Sequence, residues 1–176
     1  MILTLLAAAG CDGPYVRTDF DSSATFSAYH TFAFTGLTGN GQNGAVDHSL
    51  LRDRIEETVS QQMTTKGLRQ VALEEHPDLL IRFSVDVKEK ERVERSGSMV
   101  GPYAGPSAGR RYEDVTTTKY KEGTLFIDLM LPSQNDLVWR ASIIGLLSNA
   151  KEENTQMVNK GIIKAFEDYP PKGKTH

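Results

Sequence analysis

The sequence predicts an α+β domain: an antiparallel β-sheet of about five or six strands with two main helices packed on one face. Three observations predict it. Several stretches alternate apolar and polar residues, as half-buried strands do; two longer stretches repeat apolar residues every three or four positions, as amphipathic helices do. The roughly 165 residues that follow the N-terminal segment are enough for one domain with its own hydrophobic core. Helices and strands of this kind bury their apolar faces by stacking as two layers.

Residues 1–11 read as a secretory signal. Leu3 to Ala9 is an apolar run; Ala8, Ala9 and Gly10 are the small residues expected beside a scissile bond, and Cys11, the one cysteine in the chain, follows directly. This ending resembles the lipobox of lipid-modified bacterial proteins. The resemblance implies that Cys11 is the mature first residue and carries acyl chains, each buried methylene adding about 0.8 kcal/mol to membrane attachment. The run falls well short of the ~20 apolar residues that span a bilayer, and Ala-Ala-Ala-Gly makes a poor strand. With Cys11 used in this way, no thiol remains for a disulfide or a thiolate zinc site. The expected place is the bacterial cell envelope, facing the periplasm, on the inner or the outer membrane.

Residues 12–171 form the predicted domain and 172–176 a polar tail. Tyr15–Phe20 and His30–Thr35 alternate as strands, and the turn-rich residues 21–29 between them suit a short connector or a single helical turn. Four glycines and two asparagines mark 36–44 as a loop. Asp47 caps a first helix with the stripe Leu51, Ile55, Val59 and Met63, which Gly67 stops. Pro77-Asp78 opens the clearest strand: Leu79, Ile81, Phe83, Val85 and Val87 face the core and the strand runs on through Val93. The composition of 96–111 predicts a mobile loop at a hairpin tip. Tyr112–Lys121 resumes strand character, Glu122-Gly123 turns or bulges, and Thr124–Leu131 is a further strand. After the turn 132–136, Leu137–Ile143 returns with Leu137, Trp139, Ala141 and Ile143 on the core face. A five-residue loop pairs Leu129 with Trp139, Ile127 with Ala141 and Asp128 with Arg140. Asn154–Tyr169 is the second helix, with Val158, Ile162, Ala165, Phe166 and Tyr169 on one stripe, and Pro170-Pro171 ends it.

Three blocks in this order resemble a bacterial envelope lipoprotein family known as domain of unknown function 4136. They are Asp19-Phe20-Asp21 through Phe26-Ser27-Ala28-Tyr29-His30-Thr31-Phe32; Pro77-Asp78-Leu79-Leu80-Ile81; and Glu122 to Leu129 with Leu137-Val138-Trp139-Arg140. Tyr169-Pro170-Pro171 is similar to the family's close. Leu131 stands where an acid is common and Ala141 where glycine is usual. The resemblance implies a periplasm-facing lipoprotein and supplies no catalytic residue, cofactor or ligand.

Reactive constellations are sparse. The four histidines, at 30, 48, 76 and 176, have no ligand spacing and no cysteine to join them, so no metal site is expected. Asp19 and Asp21 beside two serines read as turn formers, and no serine elbow or phosphate loop is present. A net charge of −3 argues against nucleic acid as a partner. The expected binding face is the side of the sheet away from the helices: Leu80, Arg82, Phe126, Asp128, Met130, Val138 and Arg140. Such a face suits an envelope protein partner. The reading is a lipid-anchored, non-catalytic binding or assembly component without a cofactor; the rival is a periplasmic hydrolase whose site the sequence does not display.

Overall fold

The computed structural model describes residues 13–39, 48–97, 113–133 and 136–171. Six strands, β1 (Tyr15–Phe20), β2 (Thr31–Gly39), β3 (Arg69–Gln70), β4 (Leu79–Gly97), β5 (Glu113–Met130) and β6 (Leu137–Leu147), form one sheet in the order β1-β6-β5-β4-β2-β3. Two helices, α1 (His48–Thr65) and α2 (Lys151–Phe166), lie on one face. The fold class is α+β, as the patterning predicts. The signal residues, Asp47, the glycine-rich stretch 40–44, residues 98–111 of the expected loop and the polar tail lie outside the described residues, while Ser96 and Gly97, expected in that loop, pair with β5 as the end of β4.

The sheet is mixed where antiparallel pairing was expected throughout. β2 runs parallel to β4, Phe32 opposite Leu79 and Phe34 opposite Ile81, and it runs parallel to the short β3 on its other side. The reason is the connection: α1 carries the chain back to the starting end of β2, and a parallel neighbour requires such a crossover. One side chain fixes this alignment. Asp78 Oδ2 accepts hydrogen bonds from His30 N at 2.8 Å, Thr31 N at 2.9 Å and Thr31 Oγ1 at 2.9 Å, while Asp78 N donates to Thr31 Oγ1 at 3.0 Å. β2 also extends beyond its expected end at Thr35. A bulge between Phe34 and Gly36, where Gly36 takes a φ of 108°, lets the strand continue to Gly39.

The two strands expected on either side of Glu122-Gly123 are one. β5 runs without a turn through Gly123, which pairs with both Val87 and Gly145. Its lack of a side chain serves packing, because a Cβ there would stand 3.0 Å from Leu147 Cδ2. β4 and β5 thereby become strands of 19 and 18 residues, several times the usual five or six. β2 leaves β4 at Val85 and β6 leaves β5 at Lys121, so the rest of the hairpin is a two-stranded arm. Cross-strand charges line it: Lys90 with Glu122 at 2.6 Å, Lys119 with Glu91 at 3.3 Å, and Arg92 over the Tyr120 ring at 5.9 Å.

Odd-numbered residues of β4 and β5 face the helices. Leu79, Ile81, Phe83, Ile127 and Leu129 are fully buried there with Trp139 and Ile143 of β6, under Ile55, Val59 and Met63 of α1 and Ile162 and Phe166 of α2. The two helices run side by side in the same direction: Arg54 meets Glu152 at 3.7 Å, Thr58 Oγ1 meets Asn159 Oδ1 at 3.2 Å, and Lys66 Nζ donates to the Glu167 carbonyl at 3.2 Å. α1 stops at Gly67, where Leu68 N returns to the Met63 carbonyl and the Leu68 side chain is buried. α2 starts three residues earlier than expected and ends before Tyr169, which nonetheless packs into the core.

An aromatic cluster closes one end. Phe26 meets Phe20, Tyr29 and Tyr169 edge-on at 6.2, 5.9 and 5.8 Å, and Trp139 lies 5.0 Å from Phe166 and 5.6 Å from Tyr169. The Tyr169 hydroxyl is buried here without a hydrogen-bond partner among the described residues. Burial, with a smaller contribution from Tyr29, pushes its pKa well above the usual tyrosine value.

Two outcomes follow. Tyr169→Phe removes a desolvated hydroxyl and raises unfolding free energy by about 1 kcal/mol in urea titrations; a loss of that size would show that the hydroxyl has a partner. The Asp78 carboxyl is held below its ordinary value of 3.8, first by the His30 amide and then by Thr31. Its contribution is therefore present above that pH and lost as pH falls through the lower folded value. Asp78→Ala abolishes this part of the acid-induced loss of stability below the ordinary carboxylate value of 3.8, measured by denaturant unfolding at stepped pH.

Candidate functional site

On the face away from the helices, register brings three charged side chains together. Asp128 of β5 stands opposite Arg82 of β4 and Arg140 of β6. Its residue is 2% exposed, and both its oxygens are engaged: Arg140 Nε donates to Oδ1 at 2.6 Å, Arg140 Nη2 to Oδ2 at 2.8 Å, and Arg82 Nη2 to Oδ2 at 3.3 Å. The two arginine side chains are each 41% exposed, so the acid is covered while both cations reach solvent. Arg140 also lies over the Phe126 ring at 5.5 Å. Its pKa is raised, first by hydrogen bonding to Asp128 and then by that charge, against the opposing effect of burial. Within this triad one carboxylate between two guanidiniums leaves one positive charge and free donors for a carboxylate or other anionic group, while Asp19 of β1, opposite Arg140 in register, brings a second acid to the same face.

The seven residues expected on this face divide. Leu80, Arg82, Phe126 and Arg140 are partly exposed on it, whereas Asp128 and Met130 are buried. Val138 is 2% exposed and belongs to the core cluster, and Leu137, expected in the core, is 41% exposed. A register shift between Leu129 and Met130 causes this exchange, pairing Met130 with Leu137 and leaving Val138 as the extra residue. Cys11 lies outside the described residues. Asp21 accepts from Ser23 N and Ser23 Oγ at 2.8 Å, as a turn former does. Among the described residues, no three His, Cys, Asp or Glu side chains gather as a metal site would require, and no helix is long and apolar enough to cross a membrane.

A second feature escaped the sequence reading. At the N-terminal ends of α1 and α2 the described residues enclose a cavity of about 320 Å³ between Leu51, Val85, Val87, Leu125, Leu147 and Val158. Its signal was the strand's apolar alternation continuing through Val87, farther than the first residue of the α1 stripe can cover.

A six-stranded mixed sheet with two parallel helices on one side and an arginine-framed acid on the other defines a two-layer α+β architecture. The sequence matches the family described as Domain of unknown function (DUF4136) over residues 16–171, and the chain belongs to that family. Among solved structures, it is similar to a DUF4136 family protein from Bacteroides thetaiotaomicron, with 16% identity, a TM-score of 0.52, and coverage of 90% of this chain and 97% of that one. It is also similar to a PDZ domain protein from Parabacteroides distasonis, with 16% identity and a TM-score of 0.58 over 91% of this chain. The chain spans 37% of that protein's length. These likenesses show the fold. No curated protein matches the sequence.

Arg140→Ala leaves a covered carboxylate with a single contact and lowers stability by about 3 kcal/mol in urea, at the low end for a broken buried pair because the arginine itself reaches water. Arg82→Ala removes the longer, single contact and costs under about 1 kcal/mol. Equal losses would contradict the division of labour read from the distances.

Proposed function

We propose that this chain is a non-catalytic binding or assembly component of the bacterial cell envelope, tethered through lipid on Cys11 and facing the periplasm. The partner is an envelope protein presenting an acidic segment to the outer sheet face. The observation that carries this reading is the clasp of Asp128: the acid is spent holding Arg82 and Arg140 in place, so their remaining donors are preorganised for an incoming carboxylate at little entropic cost. The residues that mark the family support it from another side. Phe26, Tyr29, Trp139 and Tyr169 meet in the aromatic cluster, and Asp78 ties β4 to β2, so these residues are engaged in holding the fold.

Two measurements test the proposal. Intact mass of the mature protein shows a chain beginning at Cys11 with added acyl mass; a membrane-free protein with an unmodified thiol would remove the tether. Arg82→Ala, which leaves the stronger Arg140 contact in place, abolishes site-specific crosslinking of the outer face to an envelope partner while the thermal melt stays within a few degrees. Undiminished crosslinking in that variant would sink the assignment of this face.

A further inference from the structure

The cavity at the helix ends has walls and a rim of opposite character. Val85 and Leu125 form part of its floor, and Leu51, Ile55 and Val158 stand over them from the two helices. Met157 also lines it, packed over Gly145, and a flexible thioether adapts its shape to an apolar guest. The rim is cationic: Arg54, Lys121 and Lys151 line it against a single acid, Glu152. Arg54 engages that acid at 3.7 Å, Lys121 has only a distant contact to Glu89 at 3.9 Å, and Lys151 has no acidic partner among the described residues. Both helices also begin at this end, adding the positive ends of their dipoles. At about 320 Å³ the space is at the small end for a ligand site, suited to one aliphatic chain.

We infer that this cavity binds a single-chain carboxylate amphiphile of the fatty-acid class, its tail among Leu51, Val85, Val87, Leu125 and Val158 and its carboxylate at Lys121 and Lys151. The apolar walls supply affinity through buried area, and the rim cations select an anionic head over a neutral one. This site is distinct from the outer face and stands whether or not that face has a partner.

The test uses the full chain carrying Cys11→Ser, so that no acyl group is attached, titrated calorimetrically with decanoate and with decan-1-ol below their aggregation limits. Saturable one-to-one binding of both is expected, decanoate being tighter. Val87→Phe and Leu51→Phe, which fill the cavity from the sheet side and the helix side, each weaken both ligands by about tenfold or more. If either variant fails to fold by circular dichroism, the other carries the comparison. Lys121→Glu with Lys151→Glu weakens decanoate by about fivefold and leaves decan-1-ol unchanged. Absence of saturable binding, or wild-type affinity in a folded cavity-filling variant, would overturn the inference. Equal weakening of acid and alcohol by the charge reversals would overturn the head-group assignment. The chain's own acyl group is the competing occupant, since Pro14, three residues after Cys11, lies beside Gly161 and Ile143, and Ile143 lines this cavity. If the acylated protein rejects decanoate while the Cys11→Ser chain binds it, the cavity belongs to that tether and the free-ligand account is wrong.

Discussion

The pairing register of β4, β5 and β6 is the constraint on which everything else rests. Ile127 opposite both Phe83 and Ala141 sets the apolar parity beneath the helices, and one residue on, Asp128 opposite both Arg82 and Arg140 sets the charged parity on the other face. A slip by one residue would put the acid under α1 and α2 and the isoleucine in water. Burying that carboxylate among apolar side chains without its guanidiniums would cost several kcal/mol. The clasp therefore acts as a register lock whatever its net contribution to stability, and the same lock sets the two guanidiniums on either side of the acid on the outer face.

Much of this was legible in the residues. The stripes of both helices, the alternation of β4 and the Leu129–Trp139 and Asp128–Arg140 pairs could be read because period and loop length fix them locally. The departures share a cause, since each depends on a neighbour distant in sequence. Parallel pairing of β2 with β4 depends on where α1 deposits the chain, and the continuity of β5 through Gly123 depends on Leu147 arriving from β6. The exchange of Leu137 and Val138 between faces comes from a bulge that alternation alone cannot place. The arginine clasp was visible as a pair, but Arg82 as its third member and the burial of the acid emerged only with three strands assembled. The helix-end cavity left a trace only in the alternation that continues through Val87, because its other walls, Leu51, Leu147 and Val158, come from segments distant in sequence.

The stretches that carry the family resemblance acquire a physical meaning in this arrangement. Residues from the first, third and last of them converge in one aromatic cluster, and Asp78 of the second binds the backbone of the first. They specify how remote segments meet. The same stretches also supply Asp128 and Arg140 of the clasp, with Arg82 the one member that lies outside them. The β4–β5 arm is a different kind of structure. Two strands without helical cover form a marginal unit, and its alternating lysines and glutamates hold the pair together while making its open edges poor templates for unwanted strand addition.

Native-state hydrogen exchange read amide by amide tests the central claim most directly, because it measures where the sheet is locked. The account predicts that amides from Leu125 to Met130 and their hydrogen-bonded partners in β4 and β6 exchange only through global unfolding, while those from Glu89 to Arg95 and Thr116 to Tyr120 open locally and far faster. Exchange around Asp128 as fast as in the arm would contradict a register fixed by the buried acid and its two arginines.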